Sequence, residues 1–129
     1  MDRQQIINAL DILGNKVSDY NKLDALCIGY VTEAESVREA WNRAQKAGAP
    51  SKDHQARMFV LLRKAEANAE LREACFRDLA CALDQILKTR SDEVIKLCLE
   101  DYVAQANLCA LMDFAGFQRP AIFGKLEVN

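Results

Sequence analysis

A chain of 129 residues, half of them apolar and 28% charged with a net charge of −2, is enough for one globular domain. At that length folding buries roughly two-thirds of the unfolded surface without help from disulfides or a structural metal. Basic and acidic residues are interspersed, which excludes the strongly basic classes that a long-range field draws to nucleic acid or anionic membranes, and the longest apolar runs, 58–62 and 108–112, fall far short of the ~20 residues a bilayer requires.

The opening stretch MDRQQIINAL has an acid at position 2 and polar residues before any apolar run, unlike a secretory signal, so a cytoplasmic location is expected. Five cysteines in such a setting read as reduced thiols. Two prolines and five glycines punctuate a sequence otherwise rich in alanine, leucine, glutamate, lysine, arginine and glutamine. That is a helical composition, and neither a strand-like alternation nor a solenoid repeat interrupts it.

The first helix is expected to open at Asp2, with Gln5 completing a capping box, and to present Ile6, Leu10, Leu13, Val17 and Tyr20 as one apolar stripe. After a polar joint at 19–21 the helical spacing resumes through Leu23, Leu26, Cys27, Tyr30, Ala34, Val37, Trp41 and Ala44. Gly29 and a second capping-box signature, Thr32 with Glu35, leave open whether this is one bent helix or two. Gly48 and Pro50 form a firm stop, and Ser51 restarts the chain as a cap.

The pattern then runs through Phe59, Leu62, Ala65, Leu71, Cys75, Leu79, Leu83 and Ile86 to about Thr89, where TRSDE offers Ser91 as a cap, with Asp92 and Glu93 at the positive end of the next helix. That last helix is expected to reach Ala115 and end at Gly116. It is apolar around most of its circumference, the mark of a helix central in a bundle or covered by another chain. The remainder, FQRPAIFGKLEVN, reads as irregular because Pro120 and Gly124 punctuate it, yet it carries Phe117, Ile122, Phe123, Leu126 and Val128. Burial of such side chains is worth roughly 1.5–3 kcal/mol each, so the tail must cover something: its own last helix, or a partner subunit in a homodimer.

Candidate chemistry is thin. In EACFRDLACAL, Cys75 and Cys81 diverge by about 120° on a helix, and Cys98 and Cys109 share a face but lie roughly 16 Å apart, so neither pair suits one metal ion. The cysteines are expected to be small core side chains. His54, the single histidine, follows Asp53 in a first helical turn, where an exposed capping position is expected instead of catalysis. Haem, di-iron and phosphate-loop motifs are missing, so no cofactor is expected. The run RKAEANAELREACFRD spaces charges such as Arg63 with Glu66 and Glu73 with Arg77 for intrahelical pairing on a solvated face.

The resulting expectation is an all-α, compact bundle of four to five helices over residues 1–116, with an irregular apolar C-terminal tail, 117–129, packing on the bundle or on a partner subunit. Function follows by subtraction: a small non-enzymatic protein-interaction or regulatory module acting through helical surfaces, with Phe117, Ile122, Phe123 and Leu126 as candidate partner-binding residues. The alternative is a nucleic-acid-associated helical subunit of a larger nucleoprotein assembly, binding through Arg38, Arg43, Lys46 and Arg57, although Glu35 and Glu39 dilute that charge.

Overall fold

The structure is a computed structural model that describes residues 2–49 and 52–126, the side chains of 124–126 excepted. Among the described residues it is all-α, with five helices: α1 (Arg3–Lys46), α2 (Lys52–Thr89), α3 (Ser91–Glu100), α4 (Tyr102–Ala115) and α5 (Ala121–Leu126). Pro50, Ser51 and Val128 lie outside the described residues.

Local chemistry accounts for most of the boundaries. The capping box forms as expected: the Gln5 amide donates to Asp2 Oδ1 at 2.8 Å, and the Asp2 amide donates to Gln5 Oε1 at 2.9 Å. At the far end of α1, Gly48 takes φ 74°, its amide donates to the Gln45 carbonyl, and that of Ala49 donates to the Ala44 carbonyl. This is the paired bonding of a left-handed helix terminus, and Gly116 (φ 82°) repeats it after α4.

Between those ends α1 runs for 44 residues without a break. The polar joint at 19–21, Gly29 and the Thr32–Glu35 signature do not interrupt it, because a capping residue acts only where the preceding backbone leaves the helix. Three other expectations are corrected. The residue before α3 is Arg90, without a side-chain cap, so Ser91 opens the helix instead of capping it. The expected last helix is two: Asp101 adopts an extended conformation (φ −130°, ψ 105°), and its Oδ1 accepts from the amides of Val103 at 3.0 Å and Ala104 at 3.2 Å. The tail is not wholly irregular, since residues 121–126 form α5 after the non-helical stretch 117–120. Pro120 precedes the helix, where its missing N–H costs nothing, and its carbonyl accepts from the Phe123 amide at 3.1 Å.

The chain divides into two compact units. Unit 1 comprises Met1–Asp19 and Cys75–Asn129. Its core takes Ile6, Leu10 and Leu13 from α1, Leu79 and Leu83 from α2, Val94 and Leu97 from α3, Leu108, Leu111 and Met112 from α4, and Phe123 from α5. The Phe76 and Phe114 rings meet at 5.6 Å beside it. The break at Asp101 explains the apolar circumference of 91–115: two shorter helices each bury one side, while Leu99, Tyr102 and Val103 remain exposed near the corner.

Unit 2 is Tyr20–Ala74, a hairpin of the second half of α1 and the first half of α2. Its antiparallel register is fixed by Cys27 Sγ donating to the Ala65 carbonyl at 3.4 Å, by Arg72 Nη1 against Asp24 Oδ1 at 2.7 Å, and by an Arg57–Glu33 ion pair. Lys64 Nζ also sits 5.8 Å from the centre of the Tyr30 ring.

Candidate partner-binding surfaces

The four tail residues singled out from the sequence separate. Phe123 is fully buried in the core of unit 1, and Phe117 is partly buried against the same core, so both cover their own chain. Ile122 is 43% exposed, and the side chain of Leu126 lies outside the described residues. Just before α5, Arg119 donates to Asp113 through Nε at 3.0 Å and through Nη2 at 2.6 Å, fastening the connector to α4. The guanidinium holds the Asp113 carboxyl below the usual carboxylate range.

The four basic residues fall at the turn end of unit 2 but not on one face. At about 100° per residue, Arg38 and Arg43 diverge by about 140° along α1. Arg57 is engaged by Glu33.

The cysteines are less uniform than expected. Cys27, Cys98 and Cys109 are buried and Cys75 is half-buried, its Sγ donating to the Lys16 carbonyl at 3.2 Å, but Cys81 is exposed. The 120° divergence on α2 that separates Cys75 from Cys81 turns the latter outward. Burial pushes the Cys98 thiol up to about 11. His54 also departs from expectation: it is half-buried and its Nδ1 is shielded from solvent, because it falls at helical spacing with Leu61 and Ala65 on the inward stripe of α2. Among the described residues no three His, Cys, Asp or Glu side chains are gathered to hold a metal ion.

Two concavities among the described residues have the volume to receive a ligand or a partner side chain. In unit 1, Leu10 and Leu111 floor a cleft of about 610 Å³ with Asp11, Asn15 and Asn107 at its mouth. Those three polar side chains are exposed, so solvent satisfies them and no buried group fixes a ligand's orientation. In unit 2, a groove of about 530 Å³ runs between the helices. Cys27, Ala65 and Ala69 form its floor, Ile28 and Val31 line it from α1, and Glu35 and Glu66 stand on opposite helices at its edges. Ile28, Val31, Thr32 and Glu35 follow the 0, 3, 4, 7 spacing of one helix face, which is why they line up. Leu62, one turn before Ala65 and Glu66, extends the matching face of α2.

Sequence reasoning placed Leu62 and Leu26 on core stripes and did not single out Ile28, Val31 or Val60. The signal was present: apolar residues at Leu26, Ile28 and Val31 are spread too widely around a helix to face one neighbour. No protein-family model, no curated protein and no solved structure matches the chain.

Proposed function

We propose that the protein is a non-enzymatic interaction module that works by presenting the helical surfaces of Tyr20–Ala74 to a protein partner. One observation carries this reading. In that unit Leu26, Ile28, Val31, Phe59, Val60, Leu62 and Leu71 are between 41% and 61% exposed, whereas the buried apolar side chains among its described residues are Cys27, Ala34, Leu61 and Ala65. A hairpin that leaves more large apolar side chains in water than it buries is stabilised by whatever covers them. Five cysteine thiols support a reducing, cytoplasmic setting. No helix among the described residues is long and apolar enough to cross a membrane.

The test places a photo-crosslinking amino acid at Phe59, and as a control at Tyr102 in unit 1, and irradiates the protein in extract of its native host. Crosslinks to protein at Phe59 that disappear in an Ile28→Asp/Leu62→Asp variant are expected. The absence of protein crosslinks at Phe59 would overturn the reading. Binding of the same protein to generic single- or double-stranded nucleic acid at low salt, weakening steeply as salt rises, would favour the basic residues Arg38, Arg43, Lys46 and Arg57 instead.

A further inference from the structure

We infer that the groove of unit 2 receives an amphipathic helix whose apolar stripe is flanked by lysine or arginine. This rests on the interaction reading above and supplies the chemistry of the partner. The floor is made of small side chains, so a third helix can approach the two-helix layer closely, at the roughly 8–10 Å between axes of packed helices. Ile28 and Val31 supply apolar contact along the α1 side of that floor, and exposed Leu62 continues the α2 face one turn before Ala65 and Glu66.

The rim sets the charge of the occupant. Glu35 and Glu66 stand on opposite helices toward opposite ends of the groove, because the register pairs Cys27 with Ala65 and Glu33 with Arg57, and Glu39 and Glu73 lie beyond those two ends on the same helix faces. With Asp24 these are five carboxylates against three guanidiniums: Arg72, paired with Asp24 at 2.7 Å and Glu73 at 3.3 Å, Arg63, paired with Glu66 at 3.7 Å, and Arg38 on the Val31–Glu35 face, so the balance along the groove is negative. An apolar seam bordered by net negative charge is complementary to an apolar stripe bordered by positive charge, the helix-in-groove mode of recognition. A second copy of this chain on the same groove would set Glu35, Glu39 and Glu66 against a facing acidic rim, and like charges brought together disfavour it.

The experiment uses the full-length protein and three labelled synthetic peptides of about 18 residues, roughly five helical turns. The first is leucine and lysine with leucines at helical 0, 3, 4, 7 spacing. The second replaces every lysine with glutamate. The third has the composition of the first with its leucines scattered around the helix. Fluorescence anisotropy should show saturable binding of the first, with the other two weaker by about ten-fold or more. Glu35→Lys/Glu66→Lys should reverse the preference between the lysine and glutamate peptides, and Ala69→Trp should abolish binding by filling the floor at unchanged charge. Circular dichroism checks that both variants keep their helices.

Equal affinity for the scattered peptide, or an Ala69→Trp variant that binds normally while folded, would reduce the effect to surface charge and overturn the inference. Absence of binding overturns it as well. If no peptide binds but light scattering finds a dimer that Ile28→Asp dissolves, the partner chemistry fails and the interaction reading stands. A monomer that is also blank in the crosslinking experiment defeats both.

Discussion

Replacing Phe123 by alanine probes how the C-terminal segment is held. The ring is fully buried and belongs to the core cluster of unit 1, so its removal forfeits the transfer free energy of an aromatic side chain and opens a cavity. Such truncations cost about 3–5 kcal/mol. Nothing local compensates: α5 has six residues, well below the ~12–15 at which an isolated helix holds itself, Ile122 is partly exposed, and the Arg119–Asp113 pair is at the surface and contributes little. Set against a typical total stability of about 5–15 kcal/mol, the loss leaves unit 1 marginal. With a urea slope of about 1–3 kcal/mol per molar, the midpoint followed by far-ultraviolet circular dichroism should fall by about 2 M. Phe123→Leu, which retains most of the apolar volume, should cost only about 1 kcal/mol. A Phe123→Ala loss below about 1 kcal/mol with an unchanged slope would refute the intramolecular anchor, and a variant whose mass falls from dimer to monomer in light scattering would move that anchor to a partner subunit.

Thiol alkylation of the native protein should label Cys81 first and Cys98 last, because Cys81 is exposed while Cys98 is buried with its thiol pushed up to about 11; comparable labelling rates at the two would contradict this placement. Denatured without reductant, the protein should titrate as five thiols, and a markedly lower count would refute a reduced chain. Asp101→Ala should destabilise the protein by about 1 kcal/mol and Asp101→Asn much less, because the cap of α4 needs an acceptor oxygen; equal losses would shift the effect to the 3.5 Å ion pair with Arg3. Because Arg119 lowers the Asp113 pKa in the folded state, this pair's contribution is complete above the unfolded carboxylate value of about 4 and is lost as pH falls through the lower folded value. Arg119→Gln should therefore weaken the protein only slightly at neutral pH, with the difference from the parent protein shrinking as pH falls below about 4, and a difference that does not change with pH would rule the linkage out.

The parts of the fold legible in the sequence are those fixed by local chemistry. The Asp2–Gln5 box, the left-handed glycines at 48 and 116 and the 3–4 stripe from Ile6 to Leu13 each act within a turn or two of helix, and each appears where its residues predict it. What escaped were choices among competing local signals. Thr32–Glu35 and Ser91 have the chemistry of caps but not the backbone of one, whereas Asp101, embedded in an apolar run, has both. The tail helix is hidden because a proline is equally at home after a helix end and ahead of a helix start, and Pro120 serves the second role. The groove was legible only as an excess: α1 carries more apolar residues around its circumference than one neighbouring helix can cover. Spacing along a single helix does not say which of two faces the neighbour takes, so Ile28 and Val31 could be placed outside only by the register that Cys27, Asp24 and Glu33 make with α2.

Unit 1 is drawn from two separated stretches, Met1–Asp19 and Cys75–Asn129, whereas unit 2 is continuous in sequence. During synthesis the stripe of Ile6, Leu10 and Leu13 is therefore made long before Leu79, Leu108 and Phe123, which will cover it. At about 5–20 residues per second that interval lasts several seconds or more. The hairpin, built from neighbours in the chain, closes first, and in doing so it draws Asp19 and Cys75 together and removes most of the loop entropy that the later pairing would otherwise oppose. The vectorial order of translation thus makes residues 20–74 a clasp for the rest. It also leaves the N-terminal stripe without its covering side chains for that interval, so association through Ile6, Leu10 and Leu13 competes with folding.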